Sequence, residues 1–249
     1  MTGGDITPCG AAMFARYAYA PNQLGYCGPP NSPGLRGGTR DEIGKAARQF
    51  TGAWPYLQVM SRMTGIPDPL DYRLVDSYWL GGGVCAELHP PTFTRELLAI
   101  LGPRAGHYWA HLTEDLAGEA APNHSFHVFG VYPWSRLLGK GPEQHPLAVL
   151  DNCRITWATV LSSVGATALV ESRRLVWTGT SLSLSAPEVH QVGVDAEEAR
   201  QGPLTRGAIV ATHWGRVCDR LRPEQVARLK DSTDRQLAAT NRRLKANMP

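Results

Sequence analysis

No run of about eighteen apolar residues occurs in this chain, so no membrane-spanning helix is expected. The opening residues, MTGGDITPCG, hold neither a basic stretch nor an apolar one, and do not read as a secretory leader. Cysteine is scarce: there are five in 249 residues, an odd number, with no CxxC pair. That argues against a disulfide framework and against a zinc knuckle. Together with the missing leader, it points to reduced thiols in the cytoplasm. The glycines of YWLGGGV lack both the Lys-Ser/Thr of a phosphate loop and GxGxxG spacing, so no nucleotide site is expected there. There is no internal repeat and no low-complexity tract. Net charge is only +3. The one basic stretch, residues 216–245, has nine Lys or Arg against four Asp or Glu. It reads as a solvated helix face and not as a nucleic-acid surface.

What is present is an ordinary globular composition, 43% hydrophobic, in a chain long enough to bury a core. Its character changes near GPEQHP, residues 141–146. All eight tyrosines precede that point. Thr39 followed three residues later by Glu42 reads as a capping box that opens a helix. Ile43, Ala47, Phe50, Trp54 and Leu57 then form one apolar stripe, with Pro55 expected to kink or split the helix. Further helices are expected over 72–80 and 93–101. HSFHVFGVYPW, residues 124–134, is aromatic and β-branched and reads as a buried strand or an irregular core segment. After residue 150 the period drops to two. RITWATVL and ATALVESR are joined by a hairpin signal, RLVWTGTSLSLS repeats it, and GAIVATHW is a further strand. Pro223 is placed for the first turn of a last helix carrying Val226, Leu229 and Leu237 and running to about Asn241.

The expected fold is therefore α+β. A mainly helical region over 1–146 packs on a small antiparallel β-barrel over 147–221, and a C-terminal helix over 222–249 packs on the same compact unit.

Two groups of residues carry candidate chemistry. Cys27 lies in LGYCGPPNSPG, where flanking glycines leave backbone N–H groups open to an oxyanion and prolines stiffen the loop. A nucleophilic thiol needs a base, and His124 and His127 are the candidates. On a strand those two face opposite sides and only one can reach Cys27. On a helix they share a face and can ligate a metal. The second group is Cys153 and His213, a thiolate and an imidazole suited to iron, nickel or zinc. Arg154, or a charged His213, would favour the thiolate. Asp219 either orients His213 or starts the turn into the last helix. Cys9 and Cys85 receive no role, and the seven tryptophans read as core. Any of these cysteines can also serve as a small core hydrophobe.

Residues 150–221 resemble a known family. Cys153, Ile155 and Val160, a hairpin, and then a Gly-led strand ending in His213-x-Gly215 are similar to HypC/HupF, the small chaperone of nickel–iron hydrogenase maturation. The resemblance implies a thiolate at Cys153 that holds an iron unit in transit, with His213 nearby, and hydrogenase subunits or maturation proteins as partners. Over most of its length, through FARYAYAPNQLGYCGPP, GAWPYLQVM, IPDPLD, HSFHVFGVYPW and HWGRVCDRL, the chain also resembles an actinobacterial family whose genes often lie near hydrogenase genes. Two functions are thus expected. One is an accessory, chaperone-like protein that transiently holds iron or nickel through Cys153 and His213. The other is a cysteine-dependent enzyme acting on a small molecule, with Cys27 as nucleophile and His124 or His127 as base.

Overall fold

A computed structural model describes residues 9–30, 32–104, 109–195 and 202–246. Helix α1, Gly10–Gln23, is buried on nearly every face. It crosses the start of α4, Tyr72–Leu80, so closely that a Cβ on Gly10 would lie 2.1 Å from the Leu70 carbonyl. The capping box at Thr39 is formed as expected and opens α2, Arg40–Ala47. The apolar stripe then breaks at residues 48–52 and resumes in α3, Ala53–Thr64. Pro55 sits in the first turn of α3, where its missing N–H costs no hydrogen bond, so the split falls before the proline and not at it. Helix α5, Pro90–Leu101, begins three residues earlier than its apolar period, on two prolines at its first positions.

Residues 124–134 are not a strand. Asn123 caps a short helix, α6, His124–Phe126, by accepting from the Phe126 N–H at 3.0 Å. The chain runs on into a π-helical turn, His127–Val131. Gly130 packs so tightly on the Phe126 ring that a Cβ there would come within 2.5 Å. Aromatic and β-branched composition reported the burial of this segment correctly and its backbone wrongly. Helix α7, Gln144–Cys153, follows, so the strands start after Cys153, not at residue 147.

The strands are β1 Thr156–Val164, β2 Thr167–Trp177, β3 Leu182–Gly193, β4 Ile209–His213 and β5 Arg216–Arg220. They close on themselves in the order β1-β2-β3-β5-β4. Every pairing is antiparallel except the closing one, β3 to β5, which is parallel through Gly193 and Arg216. The last helix, α8, Pro223–Ala246, extends one turn past Asn241. Two of its arginines are spent on the body of the protein, Arg228 pairing with Asp76 at 2.5 Å and Arg243 with Glu119 at 3.0 Å, while Arg235 and Arg242 are exposed.

The main core runs from Ala11 to Leu229, taking in helices α1 to α5 together with Ile155, Ala211 and Cys218 from the strand region. A second core joins Val128 and Phe129 to Leu150, Cys153, Leu175 and Leu237, and a third fills the ring of strands around Val160, Val170 and Val210. The third core lies wholly within the strand region, whereas the first two draw side chains from both halves of the chain. Among the described residues, no helix is long and apolar enough to cross a membrane.

The α1–α4 crossing carries a stability prediction. Gly10→Ala must push a Cβ into the Leu70 and Tyr72 backbone, and overpacking of this kind costs about 1–3 kcal/mol. Gly102→Ala, where a Cβ meets nothing within 4 Å, leaves stability within about 0.5 kcal/mol of the parent. Urea denaturation of the two variants reads the difference, and equal midpoints would contradict the crossing.

Candidate functional site

All five sequence-derived candidates, Cys27, His124, His127, Cys153 and His213, line one cavity of about 390 Å³. Each arrives on a different device. Cys27 sits in the loop after α1, pinned by the Asn22 side-chain amide, which donates to the Cys27 carbonyl at 2.8 Å and the Pro29 carbonyl at 2.7 Å. His124 and His127 lie one turn apart on α6 and the π turn, so they share a face. Cys153 is the last residue of α7. His213 ends β4, at the two-residue turn Trp214-Gly215.

His124, Cys153 and His213 form a cluster in which one ligand atom from each lies within 4.8 Å of the others, all three residues being buried. That spacing is about 1 Å wider than donors bound 2.0–2.3 Å from one ion require. The hydrogen bonds fix the tautomers. A carbonyl oxygen only accepts, so the His213 Nδ1–H donates to the Tyr17 carbonyl at 2.7 Å. This leaves Nε2 with a bare lone pair. It is buried and makes no hydrogen bond of normal geometry, although the Cys153 carbonyl lies near the ring. By the same reasoning His124 Nε2–H donates to the Cys153 carbonyl at 2.9 Å, which leaves Nδ1 to accept from the Tyr78 hydroxyl at 3.2 Å. Tyr78 has one proton to give. His127 Nδ1–H therefore donates to the Tyr78 oxygen at 2.7 Å, and His127 Nε2 is left as an acceptor. Gly52 makes room for that atom, since a Cβ there would lie 2.7 Å from it and 3.1 Å from the Tyr132 hydroxyl.

Burial sets the charges. It pushes His127 down to about 3 and His213 down to about 4. His124 falls well below its ordinary range through burial and then through the neighbouring His213 and His127 rings. The same burial pushes the Cys27 thiol up to about 12, against which the nearby Tyr132 hydroxyl and Gly28 N–H work only partly. Cys153 rises further, by burial and then by the nearby Cys27, and is eased by the approaching Trp214 indole N–H, which makes no bond of normal geometry to it. The cavity thus presents two thiols and three neutral imidazoles. Such a set does not ionise by itself; a bound cation would ionise the thiol it touches.

No curated protein and no solved structure matches the chain. A family of unknown function, DUF6390, matches residues 6–247. The chain belongs to that family.

Several expectations are corrected here. His213 is not charged and cannot favour a thiolate. Arg154 does not reach the sulfur, because its guanidinium is engaged by Asp151 at 3.0 Å and by the Arg173 carbonyl. Asp219 lies within β5 and pairs with Arg16 at 2.7 Å, so it neither orients His213 nor starts the last turn. Two of the N–H groups around Cys27, those of Gly25 and Tyr26, are not open to an oxyanion, being spent on the Asn22 and Pro21 carbonyls. The tryptophans are not all core: Trp79 is, but Trp109, Trp134 and Trp214 are only partly buried and line the cavity. Sequence reasoning missed Tyr78, Tyr132, Gly52 and the Tyr17 carbonyl, which come from four separate elements. Trp214 had a legible signal, a bulky residue in the Trp-Gly pair of a hairpin turn.

Three rings held neutral give the fold a pH dependence. An unfolded histidine gains its proton near 6.5, whereas these rings resist it until far lower values. Stability is therefore full above about 6.5 and falls as pH drops, because the unfolded chain then binds the additional protons. The slope approaches ~1.4 kcal/mol per pH unit per ring. Carboxylates held low, Glu42 by the Thr39 cap and Asp71 by Arg73, lose their contribution only at more acid pH. Urea midpoints at pH 7 and pH 5 are expected to differ steeply, and His213→Gln is expected to flatten the profile. A level midpoint across that window would overturn the neutral-imidazole assignment.

Proposed function

We propose that this protein holds a transition-metal ion, or an ion already carrying small ligands, through Cys153, His213 and His124, and serves as an accessory, chaperone-like protein in nickel–iron hydrogenase maturation. The observation that carries the metal part is the buried His213 Nε2 lone pair, without a hydrogen bond, in a cluster whose three donor atoms lie within 4.8 Å of one another. A hydrogen-bonded second nitrogen, as at Nδ1 to Tyr17, is the usual support of a ligating imidazole. One sulfur and two nitrogens suit iron, nickel or zinc; His213 offers its lone pair directly, whereas His124 becomes a donor only when the Tyr78 hydroxyl turns away from its Nδ1. A bound ion would take the Cys153 sulfur as thiolate, the thiol proton leaving to solvent, and three protein donors would leave it room for other ligands, as suits an ion held in transit. The maturation role, with iron or nickel as cargo and a hydrogenase subunit or maturation protein as partner, rests on the resemblance of residues 150–221 to the small maturation chaperone.

The test is metal uptake under nitrogen. Protein exposed to Fe²⁺ or Ni²⁺ and then desalted is expected to retain about one ion per chain, falling at least tenfold in Cys153→Ser and His213→Ala but not in Cys27→Ser. Equal retention in parent and Cys153→Ser overturns the metal reading. Retention of a hydrogenase large-subunit precursor by the parent protein, lost with Cys153→Ser, supports the maturation role; failure to retain it removes that role alone.

A second reading has one observation in its favour. Cys27 lies near the Tyr132 hydroxyl, and the Tyr132 ring is 4.4 Å from that of His127, so a thiol, a hydroxyl and an imidazole meet in one cavity. Against it, a thiol raised to about 12 does not pass its proton to an imidazole lowered to about 3. Iodoacetamide at neutral pH decides: Cys27 is expected to label more slowly than exposed Cys9. Faster labelling of Cys27 would favour the cysteine enzyme.

A further inference from the structure

We propose that the cavity beside the His–Cys–His cluster binds an uncharged, largely apolar and preferably aromatic organic molecule, with one polar group turned toward the cluster. One element rests on the metal reading: that polar group would occupy the ion's open position. The remainder stands on the chamber itself.

Size comes first. About 390 Å³ is far more than an ion and a few diatomic ligands need, and falls within the roughly 300–1,000 Å³ of small-molecule sites. Charge comes second. Among the described lining residues there is no Asp, Glu, Lys or Arg. A carboxylate or ammonium brought here would lose its water and meet no opposite charge, which costs several kcal/mol. Shape comes third. Trp109 stands 5.8 Å from Tyr132, and Tyr26 stacks on Trp214 with centroids 3.9 Å apart, so flat faces bound the space on more than one side. Leu112, Val131 and Pro133 fill in between. Polarity comes last. The hydrogen-bonding groups are contiguous, linked through Tyr78, His127, Tyr132 and Cys27, so a ligand meets one polar patch against otherwise apolar walls. That patch offers a hydroxyl, a thiol and the His127 Nε2 acceptor, groups that orient a neutral hydroxyl, carbonyl or azole nitrogen.

A matched set of three probes tests this on the full chain by calorimetry: 2-naphthalenemethanol, 2-naphthoate and 2-naphthylmethylammonium. The neutral alcohol is expected to bind at least tenfold more tightly than either ion. Leu112→Trp, which fills the chamber from its half-buried rim, is expected to weaken the alcohol at least tenfold. Leu112→Asp is expected to shift the preference to the ammonium. Equal or tighter binding of an ion by the parent, or binding of none of the three, overturns the proposal. Running the series on chelator-treated and metal-loaded protein separates the two readings. Alcohol binding by a protein that retains no metal leaves this inference standing and the metal reading fallen. Metal retention without alcohol binding does the reverse.

Discussion

An imidazole in hydrocarbon must be neutral, and a neutral imidazole has one N–H to place and one lone pair to leave. Three such rings meet in this cavity, and the organisation of the site follows from how their hydrogens are spent. The Tyr17 and Cys153 carbonyls take two of them, and the Tyr78 oxygen takes the third. Each acceptor belongs to a different element, and the His213 tautomer is defined only once the strand half is docked on α1. The carbonyl of α1 reaches β4 because α1 is packed hard against α4 and tied to β5 by Arg16, which donates to the Cys218 carbonyl at 3.1 Å. The site is a consequence of the seam between the two halves and does not belong to either.

This explains why some of the fold was legible in the sequence and some was not. The capping box at Thr39, the strand periods after residue 150 and Pro223 at a helix start are local signals, and local signals survived. Residues 124–134 carried a real signal of burial, but periodicity could not say that Asn123 would cap a helix there and that Phe126 would lie against Gly130. The cost of that error was functional: a strand separates His124 from His127, whereas one helical turn aligns them. The partners of His124 are the Cys153 carbonyl and Tyr78. Cys27, His124, His127, Cys153 and His213 line a single chamber. Their grouping was not legible, because it depends on contacts more than a hundred residues apart, such as His213 on Tyr17.

Charge was misjudged for a related reason. A cysteine beside an arginine in sequence looks activated, yet Arg154 is 2% exposed and spends itself on Asp151 and a strand carbonyl. Adjacent side chains at the junction of α7 and β1 point into different cores: the arginine into a polar knot with Asp151, the thiol into the cavity. What raises or lowers a pKa here is dryness more than neighbours, and dryness cannot be read from a short stretch of sequence.

The turn Trp214-Gly215 shows what the fold gives up for this arrangement. Trp214 has a φ of 50°, the sole positive value at a non-glycine position among the described residues. A two-residue hairpin of this type favours Asn or Asp at such a position, and a bulky side chain there costs about 1–2 kcal/mol. The strained conformation does three things at once. It lets the backbone N–H of Trp214 reach the Asn152 carbonyl at 2.9 Å, next to Cys153. It lays the indole against Tyr26, closing one side of the chamber. It also brings the indole N–H toward the Cys153 sulfur, where a donor stabilises negative charge. An asparagine would relax the turn and keep only the first of these. Backbone strain is thus concentrated at the one residue that joins the thiol, the cavity wall and the strand carrying His213.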